Sequence, residues 1–157
     1  MVILKKGNLF RSNCQTFVCP INCAGAMGSG IAKQFKDRYF GLFEEYKWLC
    51  DQKLFKIGTL WIWEDPDAIE ERKILCFPTK IHWTKKSEYY YLYLGLDKFV
   101  KTYEEKGITS IAFPLLGCGK GGLESKHVIP IMRQFLDPIS IIAEIWVPPE
   151  DPSNPYI

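Results

Sequence analysis

Two glycine-rich segments are the parts of this sequence whose residue types and spacing point most directly to chemistry. The first runs from Pro20 to Ile31 with glycines at 25, 28 and 30, and the second from Phe113 to Leu123 with glycines at 117, 119, 121 and 122. Each follows a strand-like apolar run and precedes a helical period. Glycine lets the backbone approach a ligand, and free N–H groups at a helix start attract phosphate. Together the loops predict one bound diphosphate, although a tight turn without a ligand explains either loop alone.

A dinucleotide fingerprint is the competing interpretation of the second loop. Gly117, Gly119 and Gly122 match the pattern G-x-G-x-x-G. That fingerprint requires a complete βαβ unit and an acidic residue about 20 residues further on. Here only one predicted helix and one strand remain, and Glu144 falls in the middle of that strand rather than at its end. The pattern therefore does not predict a Rossmann site.

Length and composition indicate a single globular domain. The chain has 157 residues, 47% of them hydrophobic, and a formal net charge of +2. This is enough apolar material for one core, and the charge balance excludes a disordered chain or one that coats nucleic acid, so that any nucleic-acid contact must be local. Apolar runs fall far below the roughly 20 residues that span a bilayer, and the start has no signal-peptide core. We expect a cytoplasmic protein without membrane association.

The cysteines and histidines give no indication of metal chemistry. Six cysteines include no C-x-x-C pair, and only two histidines accompany them. No zinc motif is recognisable, so we expect no metal and no cofactor, and the chain does not need a disulfide framework. Cys118 lies between two glycines and is better explained by close packing than as a nucleophile, because no histidine is placed by motif to activate it.

The alternation of β-rich runs with helical periods predicts a layered α/β fold. The clearest helix covers 87–105, with Ser87 as its N-cap and Gly107 as its stop, and Pro130 is expected in the first turn of the last helix. Residues 148–157 carry four prolines and are expected to be a tail or the start of a linker. The predicted strands are 2–5, 16–21, 58–63, 73–77, 110–115 and 140–147, and the other predicted helices are 30–39, 43–52 and 128–136.

Four ordered motifs resemble the macrodomain family. They are Gly7-Asn-Leu9, Pro20-Ile-Asn22 leading to Met27-Gly-x-Gly-Ile-Ala-x-Gln-Phe-Lys36, Phe77-Pro-Thr-Lys80-x-His-Trp83 and Pro114-Leu-Leu-Gly-Cys-Gly-x-Gly-Gly-Leu123. Within the family they resemble the DarG branch of DNA ADP-ribosyl glycohydrolases and the related terminal ADP-ribose protein glycohydrolases. The resemblance implies that residues 1–147 form a three-layer α/β/α sandwich with a mixed central sheet. It also implies an ADP-ribose cleft at the carboxyl ends of the central strands.

The resemblance assigns ADP-ribose contacts position by position. Adenine would lie near Asn8 and Leu9, where most macrodomains have Asp in place of Asn8; the amide keeps an acceptor but lacks the charge. The diphosphate would lie beside Ile31 and the start of the first helix, and the distal ribose near Pro20 to Asn22. The second glycine loop, from Gly117 to Gly121, would surround both the phosphates and the distal ribose. The implied ADP-ribose-binding residues are Asn8, Leu9, Pro20, Ile21, Asn22, Gly28, Gly30, Ile31, Thr79, Leu116, Gly117, Cys118, Gly119, Lys120 and Gly121.

Lys80 is the implied catalytic residue, placed just past a predicted strand, and Asn22 is its implied partner. Breaking an N-glycosidic bond places negative charge on the departing base, which an ammonium can protonate or stabilise; attack by a neutral amine on the ribose is the other scheme. A solvated loop lysine and an asparagine bonded within its own loop are the plain alternatives. The protein-directed relatives carry an Asp where this chain has Gly121, which favours the DNA-directed branch.

A basic and aromatic group follows Lys80 and predicts local contact with single-stranded DNA. It comprises His82, Trp83, Lys85 and Lys86, with Tyr89 beside them. Half-buried packing of Trp83 with solvated lysines is the alternative.

The expected function is removal of ADP-ribose from a nucleobase in single-stranded DNA. By the resemblance, the nucleobase is thymidine and the protein acts as antitoxin to a DarT-like toxin. The alternatives are a protein or O-acetyl-ADP-ribose hydrolase and a non-catalytic ADP-ribose-binding module.

Overall fold

The computed structural model describes residues 1–66 and 71–149, and its elements alternate between strand and helix for most of the chain. No helix in those ranges is long and apolar enough to cross a membrane. In chain order the elements are β1 (Val2–Lys6), a 3-10 helix (Leu9–Arg11), β2 (Thr16–Asn22), α1 (Gly30–Arg38), α2 (Leu42–Asp51), β3 (Trp61–Glu64), β4 (Lys73–Lys80), α3 (Tyr89–Thr102), β5 (Ser110–Pro114), α4 (Ser125–Leu136) and β6 (Ile142–Val147).

The strands form one mixed sheet in the order β1-β6-β5-β2-β4-β3. All neighbours are parallel except β3, which runs antiparallel to β4 at one edge. Both faces of the sheet are covered, as parallel strands require. Buried side chains of α1 and α2 pack on one face, and those of α3 and α4 pack on the other. The three-layer α/β/α sandwich with a mixed sheet is therefore confirmed.

The order of the strands explains where a ligand can bind. Strands β2 and β5 are neighbours, yet the chain leaves β2 for a helix on one face and leaves β5 for a helix on the opposite face. At such a switch point the two loops diverge and open a crevice at the carboxyl ends of the strands. Strand β4 lies on the other side of β2, so its carboxyl end reaches the same crevice.

Several predicted boundaries differ from the observed ones because local contacts override the periodic signal. Helix α3 begins at Tyr89 with Glu88 as N-cap, so Ser87 does not cap it. The Ser87 N–H instead donates to Gly121 O at 3.0 Å. Strand β3 begins three residues later than predicted, since Gly58 has a φ of +88° and Thr59 N donates to Lys56 O in a turn.

The last helix and strand show the same effect. Helix α4 begins at Ser125, which places Pro130 at its sixth residue and not in the first turn as predicted. The proline removes one N–H donor, and the helix still continues to Leu136 because its buried face holds it against the sheet. Strand β6 begins at Ile142 and not at Ser140, whose hydroxyl lies 3.1 Å from the Tyr103 hydroxyl instead. Of the predicted tail, residues 150–157 lie outside the described residues.

Candidate functional site

A cleft lies at the crevice between the loops that follow β2 and β5. It consists of a wider cavity of about 610 Å³ and a narrower one of about 420 Å³. Ile31 at the start of α1, together with Leu115 and Gly119 of the β5 loop, lines both cavities. Because these walls are shared, one extended ligand can occupy both, with its middle between the two glycine loops.

The wider cavity is the predicted adenine end. Leu9 is buried in its wall, and Asn8 is exposed and caps the 3-10 helix by accepting from Phe10 N at 2.9 Å through Oδ1. The exposed amide has a second lone pair and two N–H groups with which it could bond a ligand. Trp146 at the end of β6 forms a wall that sequence analysis did not assign. The cavity thus has a flat apolar surface and one amide group, which would suit a planar ring such as adenine.

A hydrogen-bonded carboxylate holds the tryptophan in that wall. Glu144 Oε1 accepts from Trp146 Nε1 at 2.9 Å and from Ser12 Oγ at 2.5 Å. Ser12 in turn is the C-cap of the 3-10 helix that presents Leu9. One carboxylate therefore connects the two sides of the wider cavity.

The narrower cavity contains most of the predicted site. The first turn of α1 faces it without a side-chain cap, since Ser29 makes no capping hydrogen bond, so the N–H groups of this helix start can receive an anion. Its lining residues are Pro20, Ile21, Asn22, Ala26, Gly28, Ser29, Gly30, Ile31, Ala32, Thr79, Lys80, Trp83, Ser87, Leu115, Gly117, Gly119, Lys120 and Gly121.

The β5 glycine loop is a tight turn whose glycines are required by geometry. Gly117 has a φ of +73°, and its carbonyl accepts from Leu123 N at 2.9 Å, which closes the turn. A Cβ on Gly121 would lie 2.4 Å from Ser87 Oγ and 2.5 Å from Gly117 O, whereas one on Gly119 would meet no atom within 4 Å. The position at which the protein-directed relatives carry Asp therefore has no room for a side chain in this loop.

The structure brings the predicted catalytic pair together. Asn22 and Lys80 are the last residues of β2 and β4 and are register partners across the parallel pair. The Cys23 N–H donates to Lys80 O at 3.0 Å, which extends the ladder one step further. Lys80 is thus part of the strand, contrary to the prediction that it lies just past it. The sheet itself fixes its backbone.

The electrostatic surroundings of Lys80 are positive. Partial burial lowers the pKa of Lys80 below its ordinary value, and the charge of Lys120 lowers it further. Among the described residues that line the narrower cavity none is acidic, and the ionisable side chains there are these two lysines. The cavity can therefore stabilise negative charge through ammonium groups and backbone N–H groups, but it offers no carboxylate as a general base.

Asn22 is held by its own loop. Its Oδ1 accepts from Ala24 N at 2.9 Å and Ala26 N at 3.3 Å, and its Nδ2 donates to Ala26 O at 2.8 Å. The buried Tyr46 hydroxyl lies 2.7 Å from Asn22 O and 2.9 Å from Oδ1. Burial raises the pKa of Tyr46, so its hydroxyl remains a neutral donor. These bonds leave the second Nδ2–H as the donor that can face a ligand.

The predicted DNA contacts lie at the rim and only partly line the cleft. Trp83 is 52% exposed and lines the narrower cavity, and its ring stacks on His82 with centroids 3.8 Å apart. Thr84 N donates to His82 Nδ1 at 3.2 Å, which fixes the imidazole beneath the indole. Lys85 and Lys86 are exposed and lie outside the lining, so they extend the positive surface away from the cleft.

Leu116, Cys118 and Ser87 differ in how they relate to the cleft. Leu116 is fully buried in the core and lines neither cavity, so its side chain lies away from the cleft, and the ADP-ribose contact predicted at this position would fall to its backbone. Cys118 lines the wider cavity, and its Sγ lies 3.6 Å from Leu116 O. Ser87 lines the narrower cavity and was missed because its sequence position resembles an N-cap. All six cysteines are free thiols, and no group of three potential metal ligands occurs among the described residues.

A three-layer sandwich with two glycine loops and an uncapped helix start at the carboxyl edge of its sheet has the arrangement in which α/β domains place their ligand cleft. Comparison with known protein families identifies the family to which the chain belongs. The model of the Macro domain matches residues 18–132. The chain therefore belongs to the Macro domain family.

Curated and solved relatives support a particular branch of that family. The chain is 32% identical over 154 residues to the DNA ADP-ribosyl glycohydrolase of Mycobacterium tuberculosis, covering 98% of this chain and 44% of the relative. It also matches the macrodomain of Mycobacterium tuberculosis DarG with a TM-score of 0.88 at 32% identity, covering 96% of this chain and 99% of that one.

A third relative was solved with a ligand. Thermosipho africanus DarTG in complex with ADP-ribose matches with a TM-score of 0.85 at 32% identity, over 92% of this chain and 41% of that one. The chain spans less than half the length of the curated relatives it matches, with coverage from 42% to 44%.

Proposed function

We propose that this protein is a DNA ADP-ribosyl glycohydrolase that removes ADP-ribose from a nucleobase in single-stranded DNA. The observation that carries the proposal is the register pairing of Asn22 with Lys80 at adjacent strand ends, at the far end of a cleft that suits a nucleoside diphosphate. If ADP-ribose binds along this cleft, the Lys80 ammonium and the Asn22 amide would lie beside its terminal ribose. Relatives named as DNA ADP-ribosyl glycohydrolases share 32% identity with the chain.

ADP-ribose would bind along the cleft with its adenine against Leu9 and Trp146. The diphosphate would receive hydrogen bonds from the first turn of α1 and from the N–H groups of Gly119 and Lys120, which have no acceptor within the described part of the chain. The terminal ribose would then lie in the narrower cavity. The second Nδ2–H of Asn22 would orient it through a ribose hydroxyl.

Lys80 would act on the departing base. When the C1″–N bond breaks, its electron pair passes to the base nitrogen, and the Lys80 ammonium stabilises or protonates that nitrogen. Water adds to C1″ and its proton passes to the Lys80 amine, or to the base nitrogen where Lys80 has only stabilised its charge, so that ADP-ribose and the unmodified base are released. Since none of the described residues lining the cavity is acidic, bond breaking must run ahead of water attack.

The rim of the cleft has side chains that suit single-stranded DNA. Trp83 offers an exposed ring face beside Lys80, and Lys85 and Lys86 continue the positive surface. Bases stack on such a ring and phosphates meet lysines. One relative is named as a DNA ADP-ribosyl transferase and glycohydrolase fusion, and from this we infer that the protein is the antitoxin to a DarT-like toxin. From the motif resemblance we infer that the modified base is thymidine, and from the sequence that the protein acts in the cytoplasm.

Binding of ADP-ribose is tested first, by calorimetry in excess chelator. Binding without metal is expected, because backbone donors and a helix start form the anion site. Gly119→Glu should abolish it, since a side chain and a negative charge would enter the cleft; Cβ space at Gly119 is open, so the variant should fold. Loss of wild-type binding on chelation would contradict the proposed site.

Catalysis is tested by incubating ADP-ribosylated single-stranded DNA and ADP-ribosylated protein side by side. Release from DNA is expected, at a rate reduced about 10²-fold or more in Lys80→Ala, with ADP-ribose affinity within about tenfold of wild type. Lys80→Arg should keep part of the activity if charge stabilisation dominates, because guanidinium stays charged but protonates poorly. Release from protein alone would indicate a protein-directed hydrolase, and binding without turnover would indicate a non-catalytic module.

A further inference from the structure

Ser87 has a hydroxyl that the folded chain does not use. The residue is 5% exposed, and its Oγ is the one buried side-chain polar atom without a hydrogen-bond partner among the residues that the structure describes. It does not cap α3, whose N-cap is Glu88. A buried hydroxyl without a partner costs free energy comparable to a lost hydrogen bond, so a ligand that accepts a hydrogen bond from it would remove that cost.

The hydroxyl lies on the concave side of the β5 glycine loop. The Ser87 N–H donates to Gly121 O at 3.0 Å, which ties the residue to the loop. Its Oγ would lie 2.4 Å from a Cβ on Gly121 and 3.2 Å from a Cβ on Gly117. Ser87 also lines the narrower cavity together with Thr79 and Lys80. The Ser87 hydroxyl therefore lies between the β5 glycine loop and the cavity that a ligand would occupy.

We propose that Ser87 is a ligand-binding residue whose hydroxyl donates a hydrogen bond to the ribose 5-phosphate half of ADP-ribose. This rests on the proposed function. Since none of the described residues lining the cavity is acidic, the oxygens of a bound phosphate or ribose are the acceptors that would satisfy a hydroxyl there. Ligand binding then removes the cost of the unpaired group, and part of the affinity comes from that gain.

Calorimetry with a series of ligands tests the contact. In Ser87→Ala the affinity for ADP-ribose should fall about fivefold to tenfold, the loss expected for one hydrogen bond, while AMP, which lacks the second phosphate and the terminal ribose, should bind as to wild type. An equal loss with ADP assigns the bond to the phosphate, and a loss confined to ADP-ribose assigns it to the ribose. Unchanged ADP-ribose affinity, or an equal loss with AMP, would overturn the proposal.

Thermal stability provides a second readout, because Ser87→Ala is expected to weaken ligand binding without destabilising the free protein. Because the hydroxyl has no partner in the free protein, Ser87→Ala should leave the Tm unchanged or raise it by up to about 3 °C. The matched control is Ser12→Ala: Ser12 is also 5% exposed, but its hydroxyl donates to Glu144, so its loss should lower the Tm. A Tm lowered in Ser87→Ala as much as in Ser12→Ala would show a partner already present and overturn the proposal.

The two proposals fail in different ways. If the wild-type protein does not bind ADP-ribose, the proposed function fails. If the wild type binds ADP-ribose and Ser87→Ala binds it equally well, only the role of Ser87 fails.

Discussion

Replacement of Gly121 by alanine tests the shape of the β5 glycine loop. The added Cβ would lie 2.4 Å from Ser87 Oγ and 2.5 Å from Gly117 O, whereas nonbonded atoms normally lie about 3.5–4.0 Å apart. The loop must therefore shift by about 1 Å or more. The carbonyl cannot simply turn away, because Gly117 O holds Leu123 N at 2.9 Å.

The expected cost follows from that overlap. Overpacking of this kind costs about 1–3 kcal/mol, which for a chain of this size lowers the Tm by about 3–10 °C. ADP-ribose affinity should fall as well, since the shifted loop no longer presents its N–H groups to the diphosphate. Thermal unfolding by circular dichroism and calorimetric titration of ADP-ribose measure the two effects.

Gly119→Ala is the matched control for stability. It makes the same chemical change two residues away in the same loop, where a Cβ meets no atom within 4 Å, so its Tm should stay within about 2 °C of wild type. Adding Ser87→Ala to Gly121→Ala removes one of the two obstacles and should restore only part of the Tm, because Gly117 O remains. Equal Tm values for the two single glycine variants would refute the reasoning.

Three further predictions concern the site and its rim. If Lys80 acts as an ammonium, the rate falls as pH rises through its pKa, which burial and a neighbouring lysine lower; a kcat profile that rises over that range would instead support attack by the amine. Trp83→Ala should raise the KM for modified DNA about tenfold with unchanged ADP-ribose affinity, and Trp48→Ala, exposed but outside the cleft, should alter neither. Tyr46→Phe removes a buried contact to Asn22 and should lower the Tm by about 3–6 °C and reduce kcat more than it raises KM, measured by unfolding and steady-state kinetics.

The sequence predicted the layers of this fold better than the ends of its elements. Alternation and helical period located the six strands and the four α-helices of the described residues, but not the 3-10 helix, since those patterns follow from burial against a shared sheet. The position at which a helix or strand begins or ends depends on single contacts, which leave no periodic signal in the sequence. The Ser87 N–H pairs with a loop more than thirty residues away in sequence, so the residue could not be recognised as part of the cleft.

The candidate site shows the same division. Glycine spacing and the family motifs placed Lys80 and both loops at the cleft, because such positions are constrained by backbone geometry. They did not predict that the Asn22 amide is already bonded within its loop or that Leu116 is a core residue. Trp146 was missed as well, since a tryptophan near the end of a strand looks like ordinary packing until the sheet order brings it beside the 3-10 helix.

The lack of acidic residues among the described lining of the narrower cavity bears on which bonds can break there. A carboxylate base can drive water onto a sugar whose substituent leaves reluctantly, such as the alkoxide of a serine. With an ammonium instead, the bond from C1″ to the leaving group breaks only as easily as the departing atom accepts the electron pair. The rate should therefore increase with the acidity of the leaving group's conjugate acid. A nucleobase nitrogen spreads that charge over its ring and carbonyls. The cavity would thus discriminate between adducts by their chemistry, before any surface contact distinguishes DNA from protein.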